Sequence, residues 1–259
     1  MSSENFDIYS AYYDLLYEGK KYGKEAQFIA KLLERYGAGD KHLLELGCGT
    51  GIHATHFAQM GFTVHGIDRS PEMLRVADER SSLLEDDIAS RLSFAVGDLR
   101  DFSAPSRYDH VISLFDVMSY LPDNGAFKQA LSNIKSVLKP GGLLVFDCWY
   151  GPGVYTQKPH VRTRRLIGEN AEILRIAEPE FHYDRNVIDV NYDIFVKDRA
   201  TGRLQQFQER HPMRCFFDAE LDELLGQAAF SRVFAMEWFT EKAPSIQTWS
   251  ALFGYRLAQ

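Results

Sequence analysis

Between His42 and Cys148 the chain alternates short apolar runs with stretches of helical spacing, and that alternation restricts it to one class of fold. His42–Leu46, Phe62–Ile67, Leu92–Val96, His110–Leu114 and Leu143–Cys148 read as strands, short and nearly continuously apolar. Thr50–Met60, a segment opening at Ser70-Pro71-Glu72, and Ala126–Leu138 closed by Lys139-Pro140-Gly141-Gly142 read as helices. Ser70 suits the N-cap and Pro71 the first helical position, where its missing N–H costs nothing. Strands without a polar face need cover on both sides, so the expected fold is α/β with a Rossmann-like parallel sheet.

The flanks add to this plan. Lys24–Tyr36 carries apolar residues at helical spacing and stops at Gly37 and Gly39. Beyond Trp149 the pattern turns β-like at Glu172–Ala177, Val187–Val196 and Leu204–Phe216, with a hairpin turn at Asp198-Arg199-Ala200-Thr201-Gly202. These runs are expected to form an antiparallel insert over the active site. Asp218–Gln227 reads as a helix with Asp218 as its N-cap, and Arg232–Trp238 with Thr248–Leu257 as an antiparallel final strand pair. The expected organisation is one domain over 1–259: an N-terminal helical cap (1–40), a ligand-binding core (41–150), the insert (155–215) and a return to the core (216–259).

Composition excludes several classes. The net charge of −7 argues against a nucleic-acid backbone as partner, which needs clustered Lys and Arg. Three scattered cysteines, Cys48, Cys148 and Cys215, fit neither a disulfide framework nor a zinc site and agree with a reducing compartment. The first residues lack the basic flank and apolar run of a signal peptide, and no apolar stretch nears the roughly 20 residues of a membrane span, so a cytoplasmic location is expected. His53 and His56 share a helix face without a third ligand, and no metal is expected. The sequence admits a monomer or a homodimer.

The chemistry concentrates at Glu45-Leu46-Gly47-Cys48-Gly49-Thr50-Gly51, between the first strand and its helix. Glycines there let the backbone turn sharply and approach a ligand, while the helix presents its amides. Nicotinamide and flavin enzymes place GxGxxG at this junction. Here Ile52 occupies the third-glycine position, and Glu45 would repel a pyrophosphate but suit a cationic amino-acid tail. Three more segments follow strand ends, where open parallel sheets bind ligands. Asp68 is placed to accept from two ribose hydroxyls, with Arg69 and Met73 beside the base. Asp98 is placed to accept from an adenine amine while the Leu99 backbone reads the ring edge. Leu114-Phe115-Asp116-Val117-Met118 is expected to line the tail of the ligand.

With these residues the sequence resembles the class I S-adenosylmethionine-dependent methyltransferases. Glu45 to Gly51, Gly66 to Leu74, Gly97 to Phe102 and Val137 to Asp147 follow that family's pattern in order and spacing. The resemblance implies S-adenosylmethionine as donor and S-adenosylhomocysteine as product, with Tyr9, Glu45, Gly47, Cys48, Gly49, Asp68, Arg69, Met73, Asp98, Leu99 and Leu114 around the donor. A narrower likeness, to N-methyltransferases of nucleotide-linked amino sugars, rests on Tyr9, Tyr13-Asp14-Leu15-Leu16-Tyr17, Met118-Ser119-Tyr120-Leu121, Asp147 to Pro152 and His211 to Phe216. It implies a small-molecule acceptor, a nucleotide-activated amino sugar. Asp116 departs from the small residue those enzymes tend to carry.

Tyr13, Tyr120 and His211 are the candidates for orienting the acceptor or taking its proton, and Tyr17, Trp149, Arg162 and Arg164 for binding it. Plainer readings stand beside them. Tyr9, Tyr13 and Tyr17 at helical spacing also suit a packing staple, His211 a structural histidine, Trp149 a core aromatic, and Arg162, Arg164 and Arg165 a solvated strand face. The competing functions are methylation of another small hydroxyl, carboxylate or amine, a nicotinamide-dependent oxidoreductase, and a non-catalytic protein that holds S-adenosylmethionine.

Overall fold

The computed structural model describes residues 16–17, 19–38 and 40–259. Its first element is helix α1 (Tyr22–Tyr36), which buries Ala26, Ile29, Ala30, Leu32 and Leu33 along one face. The core then runs β1 (His42–Leu46), α2 (Ile52–Gln59), β2 (Thr63–Asp68), α3 (Pro71–Ser82), a single turn α4 (Asp86–Ala89), β3 (Leu92–Val96) and β4 (Tyr108–Ser113). A 3-10 turn (Val117–Tyr120), α5 (Asn124–Val137) and β5 (Leu138–Trp149) complete its first half. After the insert the chain returns through α7 (Asp218–Gln227), β10 (Phe230–Glu237) and β11 (Ser250–Leu257).

Seven strands form one sheet in the order β10-β11-β5-β4-β1-β2-β3. Strands β1 to β5 are parallel, and β11 lies antiparallel to both β5 and β10. Alternation along β1 sorts its side chains between the two faces. Leu44 and Leu46 join the core that includes α5 and α7. Leu43 joins the one built on α1 and α2, so Glu45 points to that side too. The order reverses at β1, whose neighbours β2 and β4 leave a crevice at their carboxyl ends.

The insert is a separate antiparallel sheet of four strands, β6 (Arg162–Ile167), β7 (Ala171–His182), β8 (Val187–Asp198) and β9 (Leu204–Arg214), in that order. It leaves and rejoins the core at one place: Phe216 N–H donates to Trp149 O and Gly151 N–H to Phe216 O, both at 2.8 Å. One face of it packs Ala171, Ile173, Ile194 and Val196 onto Met73 of α3 and onto Leu16. The expected turn is present: Thr201 N–H donates to Asp198 Oδ1 at 2.7 Å, and Gly202 takes a left-handed φ of 72°.

Several expectations change. Lys139-Pro140-Gly141-Gly142 does not separate α5 from its strand. β5 begins at Leu138 and carries these residues as an irregularity, its pairing with β4 jumping from Tyr108–Leu138 to His110–Leu143. Pro140 has no N–H for a regular ladder, and Gly141 turns left-handed at φ 77°. Asp218 is the first helical residue rather than the N-cap, because Tyr150 Oη and Arg232 hold its carboxylate. Strand β6 and helix α6 (Gly151–Gln157) lie in segments whose polar composition gave no period to read. No helix of the described residues is long and apolar enough to cross a membrane.

Candidate active site

The crevice at the switch point opens into a cavity of about 680 Å³, within the range of small-molecule sites. Its floor comes from the loops after β1, β2, β3 and β4, and its roof from β8 and β9 of the insert.

The glycine turn supplies one wall. Gly47, Gly49 and Gly51 all lie at left-handed φ, 70°, 54° and 71°. At Gly47 an added Cβ would stand 2.6 Å from Val117 Cγ1, so the turn packs tightly against the loop after β4. At Gly49 it would meet no atom within 4 Å, because that position faces the cavity. The turn is pinned from β2: Gly47 N–H donates to Ile67 O at 2.7 Å and Gly49 N–H to Asp68 Oδ2 at 2.8 Å. Asp68 Oδ1 accepts from Ser70 N–H at 2.9 Å. Burial pushes the Asp68 carboxyl up, against those two amides, which favour its charge. The carboxylate also lines the cavity, where it can accept from a ligand hydroxyl.

Glu45 is 2% exposed, and its Oε2 has no partner among the described residues. Burial, then the Asp68 charge, raises its carboxyl to about 8. Behind it His53 Nδ1 stands 3.8 Å from Oε1, and His53 Nε2–H donates to Glu25 Oε2 at 3.1 Å, which Lys20 Nζ meets at 2.5 Å. Burial lowers the His53 imidazole, so the histidine supplies no charge to Glu45. A buried carboxyl with an empty oxygen facing a cavity is a site for a cation.

Cys48, Arg69, Met73, Leu99 and Leu114 line the same cavity, as does Asp98. The Asp98 carboxylate is forked by Arg100, Nε to Oδ1 and Nη2 to Oδ2 both at 2.7 Å, which holds it below the usual range. Arg100, unremarked in the sequence, therefore sets the orientation of the Asp98 carboxylate on the cavity wall. Burial pushes all three thiols up, so Cys48 packs as a thiol and offers no thiolate.

On the roof, Tyr120 Oη and His211 Nδ1 lie 2.7 Å apart, and His211 Nε2–H donates to Glu209 Oε2 at 2.8 Å. The carboxylate fixes the tautomer, so Tyr120 O–H donates to Nδ1 and keeps its lone pairs for a ligand. Burial, followed by the neighbouring Tyr192 and Tyr17, pushes the Tyr120 phenol well up and keeps it neutral. Glu209 was missed in the sequence. Its signal was the two-residue spacing to His211 on one strand face, which nothing distinguished from a solvated edge.

Tyr17 and Trp149 also line the cavity. Tyr17 meets Phe115 edge-on at 4.9 Å, and Trp149 meets Trp249 at 5.4 Å. Tyr9 and Tyr13 lie outside the described residues. Arg162 and Arg164 are not brought to the cavity. They sit exposed on β6, an outer strand of the insert, two strands from the β8 residues that form the roof. Replacing both with alanine is expected to change donor affinity by no more than about twofold in calorimetry, the usual range for exposed substitutions.

Phe115 and Asp116, neither a glycine, take left-handed φ of 71° and 59° at the end of β4. Such backbone costs about 1–3 kcal/mol per residue and gathers at functional loops.

Fold and site together define an α/β protein with a nucleoside pocket at the switch point and a lone carboxyl for a cationic tail. A methyltransferase domain model matches residues 43–142. A dTDP-3-amino-3,6-dideoxy-alpha-D-glucopyranose N,N-dimethyltransferase of Streptomyces fradiae is 27% identical over 86% of this chain and 83% of its own. A ubiquinone biosynthesis O-methyltransferase of Colwellia psychrerythraea is 30% identical over 73% of this chain and 69% of its own. A crystal structure of an S-adenosylmethionine-dependent methyltransferase from Clostridium acetobutylicum superposes with a TM-score of 0.81 at 19% identity, covering 98% of this chain and 99% of that one. The chain belongs to the class I S-adenosylmethionine-dependent methyltransferases. The donor fits the residues present, since the unpartnered Glu45 Oε2 suits its ammonium and the Asp68 carboxylate its ribose.

Proposed function

We propose that the enzyme methylates the amine of a nucleotide-linked amino sugar. The carrying observation is the Tyr120–His211–Glu209 chain, which puts an ordered, hydroxyl-recognising group in the roof of the donor's own cavity. The Streptomyces fradiae relative, matched along most of both chains, acts by its name on such a sugar.

Bound S-adenosylmethionine supplies a methyl carbon already activated by the sulfonium charge. Asp68 and Glu45 hold the donor's ribose and ammonium, while Gly49 leaves room for its tail. Trp149, Tyr192 and Tyr17 close the acceptor side with aromatic surface and exclude water. Tyr120 accepts a hydrogen bond from an acceptor hydroxyl and fixes the sugar's rotation, which aligns the amine.

The test is mass spectrometry of S-adenosylmethionine with dTDP-3-amino-3,6-dideoxyglucose. One or two added methyl groups on nitrogen are expected, and no turnover across a panel of nucleotide-linked amino sugars would overturn the acceptor while leaving the donor in place. Tyr120→Phe removes the hydrogen bond to the acceptor hydroxyl together with the one to His211, so the acceptor KM is expected to rise at least about fivefold with donor affinity unchanged. The Colwellia relative, by its name an O-methyltransferase, favours a second reading, a hydroxyl acceptor, in which Tyr120 passes the acceptor's proton to His211. A hydroxyl panel in the same assay separates the two.

A further inference from the structure

Beneath the left-handed turn at Phe115–Asp116 lie two carboxyls that the functions above leave unused. Asp116 lines the cavity. Its Oδ1 accepts from Ser250 Oγ at 2.9 Å, and the Trp149 indole N–H also bonds its side chain. Asp147, 2% exposed at the end of β5, accepts the Asp116 backbone N–H at 3.2 Å. Its Oδ2 is 3.4 Å from the same Ser250 Oγ, and its Oδ1 has no partner among the described residues.

One hydroxyl hydrogen cannot serve two carboxylates. Ser250 O–H points to Asp116 at 2.9 Å, and its 3.4 Å approach to Asp147 Oδ2 is too long for a second hydrogen bond. Among the described residues Asp116 then has two side-chain donors, Ser250 and the Trp149 indole, and Asp147 only backbone amides. Two buried carboxyls this close cannot both ionise. Burial raises Asp147 well up, with the Asp116 charge adding to it, and Asp116 to about 6. Other groups facing the pair are the Cys148 thiol and Lys20, which is already paired with Glu25, stands 4.3 Å over the Phe115 ring and favours the charge of both carboxyls. Among the described residues no Lys or Arg forms an ion pair with either aspartate. An anion on the wall of a cavity, with no ion pair among the described residues, asks for a cationic or N–H ligand.

We propose that Asp116 is the carboxylate that receives the acceptor's amine, held ionised by Ser250 and the Trp149 indole while the neighbouring Asp147 stays protonated. This rests on the amine-acceptor reading above. An amine N–H donates to Asp116, which turns the nitrogen lone pair toward the donor methyl. The lone pair forms the N–CH3 bond, the S–CH3 electron pair stays on sulfur as the thioether of S-adenosylhomocysteine, and the extra proton on nitrogen passes to Asp116. Glu45, near the carboxyl end of β1, would serve the donor's ammonium, so the two acids divide the two nitrogens between them.

The test compares wild type with Asp116→Asn in the full chain. With dTDP-3-amino-3,6-dideoxyglucose the variant is expected to lose about 100-fold in kcat/KM, the scale of a lost proton acceptor, and to lose the inflection near pH 6 from its pH profile. Its affinity for S-adenosylmethionine in calorimetry stays at the wild-type value. Carbon-13 NMR of aspartate-labelled protein, without acceptor, is expected to show a carboxyl titrating near pH 6 that vanishes in the variant. Retained kcat/KM in the variant overturns the proposal, as does an Asp116 carboxyl still neutral at pH 8. Failure of the wild type to use any amino sugar sinks the substrate reading instead, and the NMR titration then decides Asp116 alone.

Discussion

Asp68→Ala is expected to weaken S-adenosylmethionine binding by at least about 100-fold. Asp68 does two jobs from one carboxylate. Its oxygens accept Gly49 N–H at 2.8 Å and Ser70 N–H at 2.9 Å, which fixes the glycine turn and the start of α3. The carboxylate also lines the cavity, where the ribose hydroxyls would donate. Hydrogen bonds to a charged group contribute about 1.5–3 kcal/mol each, so losing two exceeds the roughly 2.7 kcal/mol of two decades. Gly49→Arg should do at least as much by another route. The residue is left-handed at φ 54°, with no atom within 4 Å of its missing Cβ, so any side chain enters the ligand's space. Calorimetry at fixed salt, with circular dichroism to show a folded chain, checks both. Wild-type affinity in either folded variant would mean that the donor lies elsewhere.

Glu45→Gln is expected to stabilise the donor-free protein at alkaline pH and to cripple donor binding. The Glu45 carboxyl is raised by burial, and further by Asp68, to about 8 against an ordinary 4.5. The folded chain therefore holds a proton that the unfolded chain has released. Stability falls as pH rises between those two values and levels off above the higher one. Across that window the wild type loses on the order of 4 kcal/mol that the glutamine variant keeps. The difference between their unfolding free energies, measured from pH 5 to 9, isolates Glu45 from the other groups that titrate there. The donor's ammonium reverses the preference by favouring the carboxylate. Donor affinity of the wild type should then rise about tenfold per pH unit toward 8, with proton release in calorimetry. Parallel stability curves for the two proteins would refute the buried, protonated Glu45.

Most of the donor side could be read from the chain. Five apolar runs joined by helices specify a parallel sheet, and the strand ends of such a sheet carry the ligand, so Gly47, Asp68, Asp98 and Leu114 could be placed before any coordinates. The insert was harder. Its strands alternate weakly and its outer one is exposed, so the pattern that would have shown β6 as an edge also made its arginines look like candidates. Arg162 and Arg164 drew attention by charge alone, and charge does not say which edge of a sheet faces a site.

The acceptor side was decided by contacts between residues far apart in sequence. Tyr120 and His211 are 91 positions apart, and Asp116 and Ser250 are 134 apart. Asp116 was visible as part of the Leu114–Met118 segment expected to line the ligand's tail and as a departure from a related pattern, and Glu209 was not visible at all. The sequence by itself determined the sheet, the glycine turn and the strand-end residues that line the cavity, because local periodicity and strand-end position carry that information. Only the tertiary structure decided which carboxyls are buried, paired or left without a partner, because desolvation and proton sharing depend on what folds over a side chain rather than on what precedes and follows it.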